Sequence, residues 1–314
     1  HLGRHRRPPV MSWLRPVLNG YLRLTEKPHM RRAKDPEALR RSFRTKARLL
    51  FHAPWRTRMT LRTLGPGEAL EITPPELRSD TLVLYFHGGG YTFGAPETHA
   101  ALLASLAAHV GGRAILPRYP LAPEHPYPTA PDFAEAAYHA LCAEHAPDRI
   151  VIGGDSAGGA LALTLLARLL RSGAPLHAGV FAFSPLTDLS FSGDSITANA
   201  GTEAVLPAER VDEMGAMYLG DVDPTYPDAS PLFAEFTGAP PVWITVGDTE
   251  ILLDDSRRMV DRMTAQNVPV TYVEERDLPH VWPIFHNTLP EARATLRALA
   301  AWIGDQASSN VPTR

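Results

Sequence analysis

Apolar and polar positions recur with two distinct periods along this chain. In the first part, Trp13, Val17, Leu18, Tyr21 and Leu22 fall at helical spacing, as do Leu39, Phe43, Ala47 and Leu50. Residues 11–52 therefore read as two short helices broken near Lys27-Pro28. Met59–Leu64 and Ala69–Ile72 read as an antiparallel strand pair turning at Gly65-Pro66-Gly67. Short apolar runs then alternate with helical patterns. Strands are expected at Leu82–Phe86, Arg113–Leu116, Ile150–Ile152, Gly179–Phe183, Val242–Val246 and Val270–Val273. Helices are expected over 98–110, over 131–145 with Pro131 near its first position, over 157–172 ending at Gly173, over 254–267 and over 290–303. This alternation predicts an α/β fold, a mostly parallel sheet covered by helices on both faces. Only residues 187–240 interrupt it, as a long excursion with a helical stretch at Ala208–Leu219. Such an excursion leaves the carboxyl ends of parallel strands, where α/β proteins bind ligands, and is expected to form a lid with residues 11–52.

Composition changes this picture little. Of 314 residues, 44% are apolar and 21% charged, an ordinary soluble balance. The net charge of −3 hides an asymmetry: residues 1–58 hold 16 Lys and Arg against 3 Asp and Glu, leaving 15 against 31 elsewhere. A basic arm is one way to hold nucleic acid. Here Arg31, Arg32, Lys34, Arg40, Arg41, Arg44 and Lys46 are spread among helix formers, so a basic cap docking on an acidic body is expected instead, with no nucleic-acid partner. No apolar run reaches the ~18–20 residues of a membrane span. Cys142 is the single cysteine, so no intramolecular disulfide forms and a cytoplasmic setting is expected. Residues 1–10 precede Met11, a plausible start, and are set aside from the fold as an upstream segment. Neither His-Glu-x-x-His nor paired Cys-His spacing occurs, so no metal and no cofactor is expected.

The chemistry lies at the ends of the expected strands. Gly154-x-Ser156-x-Gly158 sits between the strand ending at Ile152 and the helix from Ala157, the context of a nucleophile elbow. A phosphate-holding turn is the rival, and the strand–turn–helix setting favours a serine nucleophile. His87-Gly88-Gly89-Gly90 follows the strand Leu82–Phe86; its glycines let main-chain N–H groups approach an oxyanion. Gly88 and Gly89, with Ala157, are assigned to that role. The spacing is not Gly-x-Gly-x-x-Gly, which argues against a dinucleotide loop. On such a scaffold the chain order is serine, acid, histidine. Of His177, His280 and His286, only His280 lies just after a strand at the expected end of the sheet. The acid must follow Val242–Val246, where Asp248 and Glu250 compete by position and Asp254 and Asp255 read as helix-start residues. Tyr91, Phe93, Asp155, Met214, Met217, Trp282 and Phe285 are candidates to contact substrate.

His87-Gly88-Gly89-Gly90, Tyr119-Pro120-Leu121-Ala122-Pro123-Glu124-His125, Gly153-Gly154-Asp155-Ser156-Ala157-Gly158-Gly159, Ser184-Pro185-Leu186-Thr187-Asp188, Pro240-Pro241 and Leu252-Leu253-Asp254-Asp255 together resemble the bacterial hormone-sensitive-lipase-like esterases. The likeness covers about residues 80–303. It implies an α/β-hydrolase fold with an eight-stranded sheet, a helical cap at 11–52 and about 187–225, and a catalytic domain over 53–305. It also implies a serine carboxylesterase acting on short to medium acyl esters, compatible with a homodimer. In that family the triad acid precedes a short apolar stretch and then the Asp-rich helix start. The matching residue here is Glu250, although most members carry Asp there. The expected triad is therefore Ser156, Glu250 and His280.

Overall fold

A computed structural model describes residues 12–33 and 35–309. The reading of residues 1–10 and Met11, and the placement of Lys34, lie outside the described residues.

The chain opens with α1 (Leu14–Arg32) and α2 (Pro36–Leu50). The expected break at Lys27-Pro28 is not there: α1 runs through Pro28 to Arg32. Proline removes one helical hydrogen bond, but this turn is held from outside on both sides. The Lys27 ammonium donates to the carbonyls of Ala200 and Glu203, and Arg210 donates to the carbonyl of Met30 at 2.9 Å and also to that of Ala33. The break falls instead at Asp35-Pro36. The Asp35 carboxylate accepts from the N–H groups of Glu37 and Ala38, and Pro36 occupies the first helical turn, where its missing N–H costs nothing.

Next come β1 (Arg58–Leu64), β2 (Gly67–Thr73), β3 (Leu82–Phe86), α3 (Pro96–Val110), β4 (Arg113–Pro117), α4 (Thr129–Cys142), β5 (Ile150–Asp155), α5 (Ala157–Ser172) and β6 (Gly179–Phe183). An excursion follows, carrying α6 (Ser195–Ala198) and α7 (Val211–Leu219). The chain closes with β7 (Val242–Gly247), α8 (Leu253–Ala265), β8 (Val270–Glu275) and α9 (Pro290–Ser309). α4 starts two residues earlier than expected and stops at Cys142, so Pro131 sits third in the helix, still inside the turn whose N–H groups have no partner.

The eight strands form one sheet in the order β1-β2-β4-β3-β5-β6-β7-β8. β1 and β2 are antiparallel, β2 is antiparallel to β4, and every other pairing is parallel. β3, β6, β7 and the first five residues of β5 are apolar or small throughout and fully buried, as strands covered on both faces must be. α4, α5 and α8 bury Phe133, Leu165 and Met259 against one face. α3 and α9 bury Leu103 and Leu299 against the other. This scaffold puts the loops after β3, β5, β7 and β8 at one end of the sheet. No helix among the described residues is long and apolar enough to cross a membrane.

Candidate active site

Ser156 sits at the turn between β5 and α5 with φ 52° and ψ −122°, a backbone conformation costly for any side chain. The turn is tight enough to exclude a Cβ at its flanks. One added to Gly158 would lie 2.0 Å from the carbonyl oxygen of Phe86, and one on Gly154 would lie 2.2 Å from that of Gly158. The Ser156 N–H donates to Phe183 O at 2.8 Å, and its carbonyl accepts from Leu186 N–H. The strain is thus held by the neighbouring strand end, and the hydroxyl is presented at the start of α5. As the first residue of α5, Ala157 has an N–H with no helical partner.

The loop after β3 approaches the same point. Asp155 braces it: one carboxylate oxygen accepts from Tyr85 OH at 2.8 Å and from Gly88 N–H at 2.9 Å, and the other lies 3.2 Å from His99 Nε2. This corrects one expectation. The Gly88 N–H is already donated to a carboxylate, so it does not face an oxyanion. Asp155 is buried and engaged by the protein, so it supports the loop, and it also lines the pocket. Among the described residues, the N–H groups of Gly89 and Gly90 have no acceptor, and both glycines line the pocket. Gly89 has φ +121° and leaves no room for a Cβ, which would meet the carbonyl of Phe93 at 2.2 Å. His87 is structural. Its Nδ1 lies 2.8 Å from Gly88 O, its carbonyl accepts from Tyr119 OH, and burial, together with the neighbouring His99, lowers its pKa to about 3.

The loops after β7 and β8 bring Glu250 and His280 together. His280 Nδ1 lies 2.6 Å from Glu250 Oε2. The other carboxylate oxygen, Oε1, accepts from Gly247 N–H at 2.6 Å and from Ser184 OH at 2.8 Å. Ser184 Oγ in turn accepts from Val281 N–H at 3.2 Å, so one hydroxyl ties the end of β6 to both loops. Asp248 does something else: its Oδ1 accepts from Asp277 N–H at 2.7 Å, at the start of the loop that carries His280. The positional choice between the two acids is thereby separated into two jobs. Burial lowers the His280 pKa, but the hydrogen bond to Glu250 and the charges of Glu250, Glu203 and Asp155 outweigh it, and the net direction is upward. His286 stands apart, with Nδ1 3.2 Å from Ile284 O, and His177 is buried before β6 against Tyr138.

A cavity of about 300 Å³ contains Ser156 and His280. Its walls come from α1 and α2 (Leu22, Met30, Phe43), from the excursion (Leu206, Met214, Tyr218), and from Phe93 and Phe285. Of the expected substrate contacts, Tyr91, Phe93, Asp155, Met214 and Phe285 line it. Trp282 and Met217 do not. Trp282 is fully buried with Leu278, Leu289 and Ala292, and its indole N–H donates to Thr295 Oγ1 at 3.1 Å, so its ring fills the core under α9. Met217 is half-buried on α7, outside the cavity lining. The basic N-terminal helices make specific contacts with the body. Arg40 pairs with Glu124 and donates to the carbonyls of Thr92 and Ala122, Arg15 donates to Arg276 O, and Arg31 pairs with Glu209. Sequence reasoning did not assign roles to Ser184, Glu203 or Asn19. Ser184 stood inside a matched motif, whereas Glu203 and Asn19 carry no local signal.

The comparisons with known proteins agree with this geometry. A family model described as alpha/beta hydrolase fold matches residues 83–284. An acetyl-hydrolase of Streptomyces hygroscopicus is 36% identical over 242 residues, covering 77% of this chain and 81% of that protein. A carboxylesterase of Mycobacterium tuberculosis is 34% identical over 78% of this chain and 82% of its own. The crystal structure of an esterase from the bacterial hormone-sensitive lipase family superposes with a TM-score of 0.89 at 33% identity, covering 95% of this chain and 100% of that one. A sheet of this order, a strained serine turn and a buried acid–histidine pair at one end of it thus sit in a chain alike over most of its length to such enzymes. The chain belongs to the alpha/beta hydrolase fold family, among the bacterial hormone-sensitive-lipase esterases, and is a carboxylic ester hydrolase.

Proposed function

We propose that Ser156 is the nucleophile, His280 the general base and acid, and Glu250 the residue that orients the imidazole. The observation that carries this reading is the 2.6 Å contact between Glu250 and His280 Nδ1 in the pocket that also holds Ser156. With Nδ1–H given to Glu250, Nε2 is left as the proton acceptor. It takes the Ser156 proton as Oγ bonds to the ester carbonyl carbon. Charge then gathers on the carbonyl oxygen, where the N–H groups of Gly89, Gly90 and Ala157 stabilise it. His280 returns the proton to the leaving alcohol as the C–O bond breaks. A water, deprotonated by the same nitrogen, then releases the acid from Ser156.

The substrates are short to medium acyl esters. The cavity of about 300 Å³ is near the lower end for small-molecule sites, and the name acetyl-hydrolase of the Streptomyces relative points the same way. Residues 12–33, 35–50 and about 187–225 act as the cap over residues 53–305; both cap parts line the cavity, which supports that division. The outermost strand β8 offers an edge on which two copies pair as a homodimer. Hydrolysis of nitrophenyl esters from acetyl to palmitoyl tests the substrate class. Rates that peak at acetyl or butyryl agree with it, and faster turnover of the palmitoyl ester overturns it.

A further inference from the structure

One buried carboxylate near this site has no part in the mechanism above. Glu203 lies in the excursion, 1% exposed, and its hydrogen bonds come from main-chain N–H groups. Oε1 accepts from Val205 at 2.8 Å and Leu206 at 3.3 Å, which closes a local turn. Oε2 reaches 48 residues along the chain and accepts from Ile251 N–H at 3.0 Å. That N–H belongs to the peptide unit joining Glu250 to Ile251. A local turn explains the first oxygen and leaves the second unexplained.

The rest of the segment makes the same connection. Asn199 Nδ2 donates to Glu250 O at 2.8 Å and to Asp248 O at 3.1 Å, and Thr202 Oγ1 donates to Thr249 O at 3.3 Å. Residues 199–203 therefore satisfy the polar main chain of 248–251 from outside, leaving that loop no freedom to swing. The segment is held in turn by α1, where Arg23 donates to Thr202 O and Lys27 donates to the carbonyls of Ala200 and Glu203.

We propose that Glu203 is a positioning residue for the esterase reaction: it fixes the peptide that carries Glu250, and so the carboxylate that pairs with His280. This rests on the reading of Ser156, Glu250 and His280 given above. The groups that face His280 are Glu250, Glu203 and Asp155; those that face Glu203 are His280, Glu250 and, from α1, Lys27. Burial, with the charge of Glu250, pushes the Glu203 pKa up, and His280 and the Val205 and Ile251 N–H groups oppose that rise without cancelling it. As Ser156 attacks, His280 becomes imidazolium, and a Glu250 held in place by Glu203 stabilises that state more than the resting enzyme.

The test is Glu203→Gln, assayed with a butyryl nitrophenyl ester across pH, beside Ser156→Ala. Gln keeps the volume but removes the charge and one acceptor: with its oxygen on Ile251 N–H, its NH2 faces the N–H groups of Val205 and Leu206 in place of Oε1. The expected result is a kcat about 3- to 10-fold lower, KM unchanged, and an acid limb moved to lower pH, since a looser Glu250 raises the basicity of His280 less. A wild-type limb and kcat with only a lowered Tm would show a merely structural carboxylate and overturn the proposal. If Glu203→Gln does not accumulate as folded protein, Lys27→Met decides the proposal: reduced kcat at constant KM supports it, and wild-type kcat overturns it. Activity surviving in Ser156→Ala would instead bring down the underlying reading of the site.

Discussion

The two halves of this site are built in different ways. The half around Ser156, the loop after β3 and the turn after β5, is constrained mainly by shape, glycines against carbonyl oxygens and one strained serine, and is braced by Asp155. The acid–base half, the loops after β7 and β8, is made of ordinary loops fixed by polar groups sent from elsewhere. Ser184 comes from the end of β6, Asn199 and Glu203 from the excursion, and Asn19 and Arg15 from α1. Asn19 Nδ2 donates to Asp277 O at 2.9 Å, and Arg15 donates to Arg276 O at 2.7 Å, so α1 grips the segment that leads to His280. Glycine packing and the Asp155 brace join two strand ends 67 residues apart in the first half, while the second relies on contacts up to 261 residues apart. The first half takes one grip from the cap, Arg40 on Thr92 O, whereas the second takes most of its support from there.

The contrast is broken most severely at Ser156. Ser156→Ala should lower kcat by about 10⁴-fold or more with the fold intact by circular dichroism, because nothing else on either half supplies a nucleophile. Next is the pair of acids. Glu250→Ala should cost about 10²- to 10⁴-fold in kcat, whereas Asp248→Ala should cost less than about tenfold, since it loses only an N–H contact that helps place the His280 loop. The reverse ranking in steady-state kinetics would move the acid to Asp248.

The pH profile sharpens the comparison at smaller amplitude. His280 acts when neutral, and its pKa lies above the ordinary 6.5. kcat/KM should therefore rise with pH along a limb centred above 6.5, and Glu250→Gln should move the residual limb to lower pH. A limb centred below 6.5 in the wild type would show that Glu250 does not engage the ring. Smallest is an effect on stability. Burial, and then the nearby charge of Asp188, raise the Asp255 pKa from 3.8 to about 7, against the N–H groups of Asp188 and Thr187. A carboxyl raised in this way supports the fold fully at pH below 3.8 and gives up that support as pH rises from there to about 7. Asp255→Asn should then flatten the fall in Tm between about pH 4 and 7, by about 5 °C, as followed by calorimetry.

The same contrast explains what was legible in the sequence. The sheet, its helices and the half around Ser156 were readable because close approach needs glycine at fixed spacing, and buried parallel strands need apolar runs. Gly154, Ser156 and Gly158 signal themselves. Gly88 was misassigned because sequence shows which glycines allow an approach and not which N–H already has an acceptor. Trp282 was misplaced for a related reason, since an aromatic near His280 in sequence points either into the pocket or under α9, and only packing decides. The Lys27-Pro28 break failed because tertiary hydrogen bonds from Lys27 and Arg210 outweigh one missing helical bond. Glu250 was selected over Asp248 by the resemblance, and the reason for the selection, the division of labour across the two loops, became visible only when Asp277 and His280 were seen beside them.

The grip of α1 on distant loops has a consequence for how the chain comes together during synthesis. Arg15, Asn19 and Lys27 are made well before their partners at 276–277 and 200–203. At about 5–20 residues per second, roughly ten to fifty seconds pass between Arg15 and the last of these partners. Through that interval α1 has α2 beside it, through Glu26 and Lys46, but not the loop it grips. A ribosome stalled before residue 276 would hold a nascent chain with the Ser156 turn made and His280 not yet made.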